Sequence, residues 1–165
     1  MMTIRPELPA DAFDIRALLT SAFPTDAEAK LVEALRASGR LTISLVAEEG
    51  GRIVGHVAFS PLMIDGKEGG LGLAPVAVSP EFQRRGIGGR LIEEGIKRAR
   101  ESGTPFVVVL GHPEYYPRFG FQKASTFGLQ NEYGADDAFM VLELLPGGLP
   151  NGGLVKYCDE FAMFG

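Results

Sequence analysis

Apolar residues recur along this chain with two different periods. Ile15, Leu18, Leu19 and Ala22, and then Leu31, Val32 and Leu35, follow the three- and four-residue spacing that predicts two amphipathic helices. Asp11 stands where an N-cap of the first belongs. Thr25-Asp26-Ala27-Glu28 has capping-box spacing for the second, and Gly39 follows its end. Residues 3–6 read as a short opening strand. After the helices the period falls to two. Residues 44–47 and 53–64 are strand-like, separated by the turn Glu48-Glu49-Gly50-Gly51, and Asp65-Gly66 turns the chain again into a strand over 71–78. Pro75 lies inside that strand. Lacking a ladder donor, it predicts a bulge or a broken pairing.

From Gly88 the helical period returns through Leu91, Ile92, Gly95, Ile96 and Ala99, ending at Gly103. Phe106–Leu110 is a continuous apolar run, the pattern of a strand buried on both faces. Strand, helix and strand in succession predict a βαβ unit. Residues 112–119 read as a loop with a short helix, 139–144 as a final strand, and 146–153 as a Gly/Pro-rich loop before a C-terminal segment. The fold class is therefore α/β (α+β), and residues 1–165 read as a single domain with 146–165 of undefined role.

Composition narrows the function classes. The chain has 165 residues, 45% hydrophobic and 22% charged, with a formal charge of −5. No apolar run approaches a membrane span, and the N-terminus has no signal-peptide core. One cysteine, Cys158, makes no internal disulfide and no Cys-rich metal site, so no metal is expected. These features point to a cytoplasmic protein that binds neither nucleic acid nor membrane. Yet residues 83–103 hold six basic and three acidic residues, leaving a net of −8 on the remainder. One basic segment in an acidic protein suits a specific small anion.

That segment opens with Gln83-Arg84-Arg85-Gly86-Ile87-Gly88-Gly89-Arg90, at the entrance of the predicted helix. Glycines there let backbone approach a ligand, and first-turn N–H groups are free to bind an anion. It is not a dinucleotide fingerprint, because the third glycine position is Leu91. Nor is there a Walker A loop, since Gly66-Lys67 is followed by Glu68.

Gln83-x-x-Gly86-x-Gly88 resembles the acyl-CoA signature of the GCN5-related N-acetyltransferases (GNAT). The resemblance extends to the preceding Val76-Ala77-Val78-Ser79-Pro80, the following Leu91-Ile92, and a second block, Tyr116-Pro117-Arg118-Phe119-Gly120-Phe121. The stretch from Leu110-Gly111-His112-Pro113 to Phe121 is similar to the YhbS-like branch of predicted acetyltransferases. Together the resemblance covers residues 3–145. It implies a mixed, twisted sheet splayed at a bulged central strand and flanked by helices, with acetyl-CoA between that strand and Phe106–Leu110. The pantetheine arm would pair with the backbone around Val76, Ala77 and Val78. The pyrophosphate would rest on the amides of Arg84, Arg85, Gly86, Ile87, Gly88 and Gly89, with Gln83 and Arg90 also among the cofactor-binding residues.

The activity implied is direct transfer of an acyl group, acetyl above all, to an amine of a small molecule or peptide, by a monomer or homodimer. Tyr116 matches the family's proton donor to the departing thiolate, with Tyr115 second. Many relatives carry a carboxylate base on the bulged strand, but residues 71–78 contain none. His56 is the first substitute, with His112, Glu114 and a water relay also open. Acidic pairs Asp136-Asp137 and Asp159-Glu160 read as solvated faces that could attract a cation. Phe161 and Phe164 could line an acceptor pocket or a dimer contact. The alternative functions are a catalytically silent CoA-binding or sensing module and an interaction domain that keeps only the architecture.

Overall fold

The computed structural model describes residues 2–164, and the side chains of residues 2–163. The chain divides into two compact units. The first takes in residues up to Phe59, then Ala74–Lys97 and the segment from Asp159. The second comprises Ser60–Leu73 and Arg98–Cys158.

In the first unit β1 (Met2–Pro6) pairs antiparallel with β2 (Ile43–Glu49), and β2 with β3 (Arg52–Ile64). The β2–β3 turn is Gly50-Gly51, with φ of +59° and +78°. Two consecutive positive φ values define the hairpin turn whose twist matches paired strands, which explains why glycine occupies both positions. Helices α1 (Ala12–Ala22) and α2 (Ala27–Ser38) supply Ile15, Leu19, Ala29 and Val32 to a core with Val46 of β2 and Ala77 of β4 (Lys67–Val78). Helix α3 (Ile87–Glu101) lies tight against β3. A methyl at Gly55 would come within 2.9 Å of Leu91, and one at Gly95 within 2.3 Å of the Phe59 ring. The absence of side chains at both positions sets how closely helix and strand approach.

In the second unit β5 (Phe106–Leu110) runs parallel to β4, as the βαβ pattern predicts, through Leu71–Val107 and Gly72–Val108. Among the described residues that ladder is two pairs long and ends before Pro75. The Ala74–Pro75 peptide is cis. Strand β8 (Phe139–Glu143) pairs antiparallel with β5 along its full length, and β6 (Gln122–Lys123) with β8. Strand β9 (Gly153–Tyr157) is antiparallel to β3 and parallel to β7 (Leu129–Asn131). Parallel and antiparallel pairs thus coexist in a mixed sheet flanked by helices. No described helix is long and apolar enough to cross a membrane.

Several sequence expectations are corrected. Asp11 does precede α1, but its carboxylate does not cap it; it accepts from the Leu8 N–H at 2.6 Å and from Arg5 at 2.8 and 3.1 Å. Thr25 is outside α2 altogether, and its hydroxyl accepts from Ala27 at 3.3 Å rather than closing a capping box. Strand β4 begins at Lys67, not residue 71, and absorbs the Gly-rich lead-in. At Gly70 a methyl would meet the Phe106 ring at 2.5 Å, so that glycine makes room for β5. The C-terminal segment contains β9 and the short helix α4 (Glu160–Phe164), and Glu160 is no solvated acid: it is buried and binds Arg40 at 3.1 Å. Phe161 is half-buried, while the Phe164 side chain lies outside the described residues.

Candidate active site

The first unit carries the basic helix entrance. Along the end of β4, Ala77 turns into the core while Val76 and Val78 alternate to a half-exposed face. Gln83, expected to belong to the loop, reaches back so that its Nε2 donates to the Val78 carbonyl at 3.1 Å. That bond fixes the loop to the strand. Arg84 and Gly86 both have positive φ, +66° and +78°. A left-handed arginine is uncommon, and alternating backbone signs gather N–H groups into an anion-binding concavity. Helix α3 begins at Ile87, so the amides of Ile87, Gly88 and Gly89 lie in the first turn, where no intrahelical acceptor exists. Beyond its two chain neighbours, nothing comes within 4 Å of where a Gly86 methyl would stand. Ile87 is buried as an anchor, whereas Arg84, Arg85 and Arg90 are exposed. Phe82 is flanked by the guanidinium groups of Arg85 at 5.0 Å and Arg52 at 5.6 Å, and Arg52 also pairs with Glu81 at 3.0 Å. The part played by Arg52 was not legible from its place in a hairpin.

Tyr116 belongs to the second unit, at the start of the 3-10 turn Tyr116–Phe119. Pro117 presets that turn and Gly120, at φ +98°, ends it. The Tyr116 ring is only 7% exposed. It stands edge-on to Tyr115 at 5.1 Å and to Phe121 at 5.8 Å. A methyl at Gly111 would meet it at 2.3 Å, so this glycine after β5 is what lets the ring settle there. Burial pushes the phenol up to about 12, and it stays protonated throughout the physiological range. Tyr115 instead stacks under the Arg118 guanidinium at 4.3 Å, a prop for the turn. His112 and Glu114 are exposed on the preceding loop.

His56 is held inside the first unit. It is fully buried on β3, with Nε2 2.8 Å from Ser44 Oγ and 3.8 Å from Glu7 Oε1. Ser44 also bonds Glu7, and Arg36 bonds Glu7 at 2.8 and 3.1 Å. With Ser44 donating to Glu7, Nε2 carries the imidazole proton by inference from the network. Nδ1, buried with no hydrogen-bond partner, then holds only a lone pair. Burial lowers the His56 pKa against the pull of Glu7. Burial also opposes ionisation of Glu7, but its contacts with His56, Arg36 and Ser44 prevail and hold it at about 2.

Both shifts have the same sign in their effect. Below about pH 6.5 the unfolded chain takes a proton at His56 that the folded chain resists, and from about 4.5 down to 2 the same holds for Glu7. Stability is therefore expected to be level above neutrality and to fall with acid, Glu7 accounting for about 1–3 kcal/mol after allowance for solvent screening. Urea unfolding at several pH values checks this. His56→Gln should flatten the decline between about pH 6.5 and 4.5 and lower stability at pH 7 by about 1–2 kcal/mol. Because the imidazole is enclosed and bonded, the acidic limb of any catalytic pH profile should survive that substitution. An unchanged stability slope would show that the proton is taken up elsewhere.

Among the described residues no group of three His, Cys, Asp or Glu side chains is placed to hold a metal. The basic helix entrance lies at the residues where the resemblance to the acetyltransferases leads one to expect it. The chain belongs to the acetyltransferase (GNAT) family, whose model matches residues 12–121. It is 43% identical to the uncharacterized N-acetyltransferase YhbS of Escherichia coli (strain K12), with 99% of this chain and 100% of that protein covered. The crystal structure of a YhbS from Escherichia coli in complex with CoA superimposes with a TM-score of 0.94 at 40% identity, covering 99% of this chain and 93% of that one. A GNAT acetyltransferase from Brucella melitensis in complex with acetyl-CoA gives 0.84 at 42% identity, covering 98% of each chain. The family and branch read from the sequence are those the comparisons identify.

Proposed function

We propose that the whole chain acts as one acyl-CoA-dependent N-acyltransferase domain, moving acetyl from acetyl-CoA to a primary amine by direct attack. The observation that carries the reading is the helix entrance: two left-handed residues, an open cradle at Gly86 and three exposed arginines. Similarity to chains crystallised with CoA and acetyl-CoA supports the same donor here. In this reading the amides of residues 84–89 hold the pyrophosphate and Arg84, Arg85 and Arg90 add charge. The backbone of Val76 and Val78 aligns the pantetheine, with Gln83 bracing the strand end.

The acceptor nitrogen forms a bond to the thioester carbonyl carbon and the C–S bond breaks. Tyr116 gives its proton to the sulfur. The proton shed by the nitrogen passes through water and restores the phenol, so no net proton is gained or lost. Water is the proposed first acceptor because residues 71–78 of β4 hold no carboxylate and His56 is enclosed. Incubation with acetyl-CoA and a panel of amines, amino acids, polyamines and peptides, read as free thiol released, tests the proposal. Binding of acetyl-CoA without release for any acceptor would indicate a silent CoA module. No binding at all would overturn both.

A further inference from the structure

A cavity of about 370 Å³ opens within the first unit. Asp14, Leu18 and Ser21 line it from α1, Arg52 and Ile53 from the start of β3, and Ser79 from just past β4. Acyl transfer as described above uses none of these side chains.

Several of its polar groups are not spent on the fold. Ser79 is only 6% exposed. Its N–H donates to the Val54 carbonyl at 2.8 Å and its carbonyl accepts from the Phe82 N–H at 2.8 Å, yet its hydroxyl bonds no described residue. A buried hydroxyl without a partner is uncommon, and this one has the cavity beside it. Asp14 is exposed in the first turn of α1, and no described residue engages its carboxylate. The Ser21 hydroxyl donates to the Leu18 carbonyl at 2.8 Å, which leaves its lone pairs to accept. Arg52 does have a partner, with Nη2 and Nη1 at 3.0 and 3.5 Å from the Glu81 carboxylate. Its Nε makes no hydrogen bond, so one edge of the fork stays open.

These groups select a ligand by exclusion. A simple anion drawn to Arg52 would meet the Asp14 carboxylate, and a simple cation drawn to Asp14 would meet the guanidinium. A compact zwitterion satisfies both. Leu18 is buried and Ile53 partly so, and together they give the cavity an apolar stretch of wall suited to an aliphatic side chain. We infer that this cavity is a second ligand site that holds a free α-amino acid, its ammonium on Asp14 and Ser21 and its carboxylate on Arg52 and Ser79. An ammonium held on a carboxylate keeps its proton and is no nucleophile, so this ligand is bound and not acetylated. The inference goes beyond the acyl-transfer reading and does not depend on it.

Calorimetric titration of the full chain, without acetyl-CoA, with L-leucine, isoamylamine and isocaproate is the test: the second compound lacks only the carboxylate of leucine and the third only its ammonium. Leucine should bind at least about 10-fold more tightly than either, and Asp14→Asn and Arg52→Gln should each weaken its binding by at least about 10-fold. Both residues are exposed, so the variants should fold, and their thermal midpoints verify that. No leucine binding, equal affinities for the three compounds, or a leucine affinity that survives in either variant would overturn the inference. Acetylation of leucine that is lost in Asp14→Asn would make the cavity an acceptor pocket and overturn it too.

Discussion

Tyr116→Phe is expected to lower kcat with acetyl-CoA and a competent amine by about 10–1000-fold, while the acetyl-CoA dissociation constant changes less than about 2-fold. The substitution keeps the ring that packs on Gly111 and against Tyr115 and Phe121, so the fold has no reason to respond. What it removes is a donor that burial keeps protonated up to about 12. A thiol has an ordinary pKa of about 8.5, so in water a phenol would give up its proton to a thiolate unwillingly. The same buried surroundings raise the thiolate's demand for a proton as it forms, and a positioned hydrogen bond then lowers the barrier. No basic limb arising from Tyr116 should appear in the rate profile below about pH 11. Steady-state kinetics of the two proteins from pH 6 to 10 decide the matter. An unchanged kcat would reduce Tyr116 to a packing residue.

The second large effect is expected at Gly86. Gly86→Asp should weaken acetyl-CoA binding by about 100-fold or more, whereas Gly86→Asn should cost about 10-fold. Asp and Asn are the residues that best tolerate a left-handed backbone, so at φ +78° they share nearly the same conformational penalty. Nothing else in the protein crowds the new side chain within 4 Å of its Cβ. The difference between the two variants therefore isolates the repulsion between a carboxylate and the pyrophosphate. Calorimetry with acetyl-CoA measures it. Equal affinities in wild type and both variants would place the donor elsewhere.

The periodic parts of the fold were legible because each signal was local. The apolar stripes of α1, α2 and α3, the run Phe106–Leu110 and the paired glycines at 50 and 51 state their own conformation. What escaped is long-range. Strands β6 and β7 have two and three residues, too few to show a period, and β9 follows a Gly-rich loop and finds partners far away in β3 and β7. Asp11 has the composition of a cap, yet Arg5, six residues earlier, takes its carboxylate. At the candidate site, glycines and arginines before a helix disclosed the loop. The positive φ of Arg84 and the reach of Gln83 to Val78 needed coordinates. His56 could be placed on a strand from the alternation, but its enclosure by Glu7, Ser44 and Arg36 depends on β1, β2 and α2 converging. Asn131 left one trace, an Asn-Glu-Tyr-Gly sequence suited to a turn.

At the end of β7 the Asn131 amide donates to the Ala135 carbonyl and accepts from the N–H groups of Tyr133 and Ala135, and these three hydrogen bonds support their loop from beneath, without using the side chains of residues 132 and 133. Those two positions can be exchanged while the backbone that carries them keeps its shape. A library randomised at 132 and 133 alone would therefore change the chemistry this loop shows to solvent at little risk to folding.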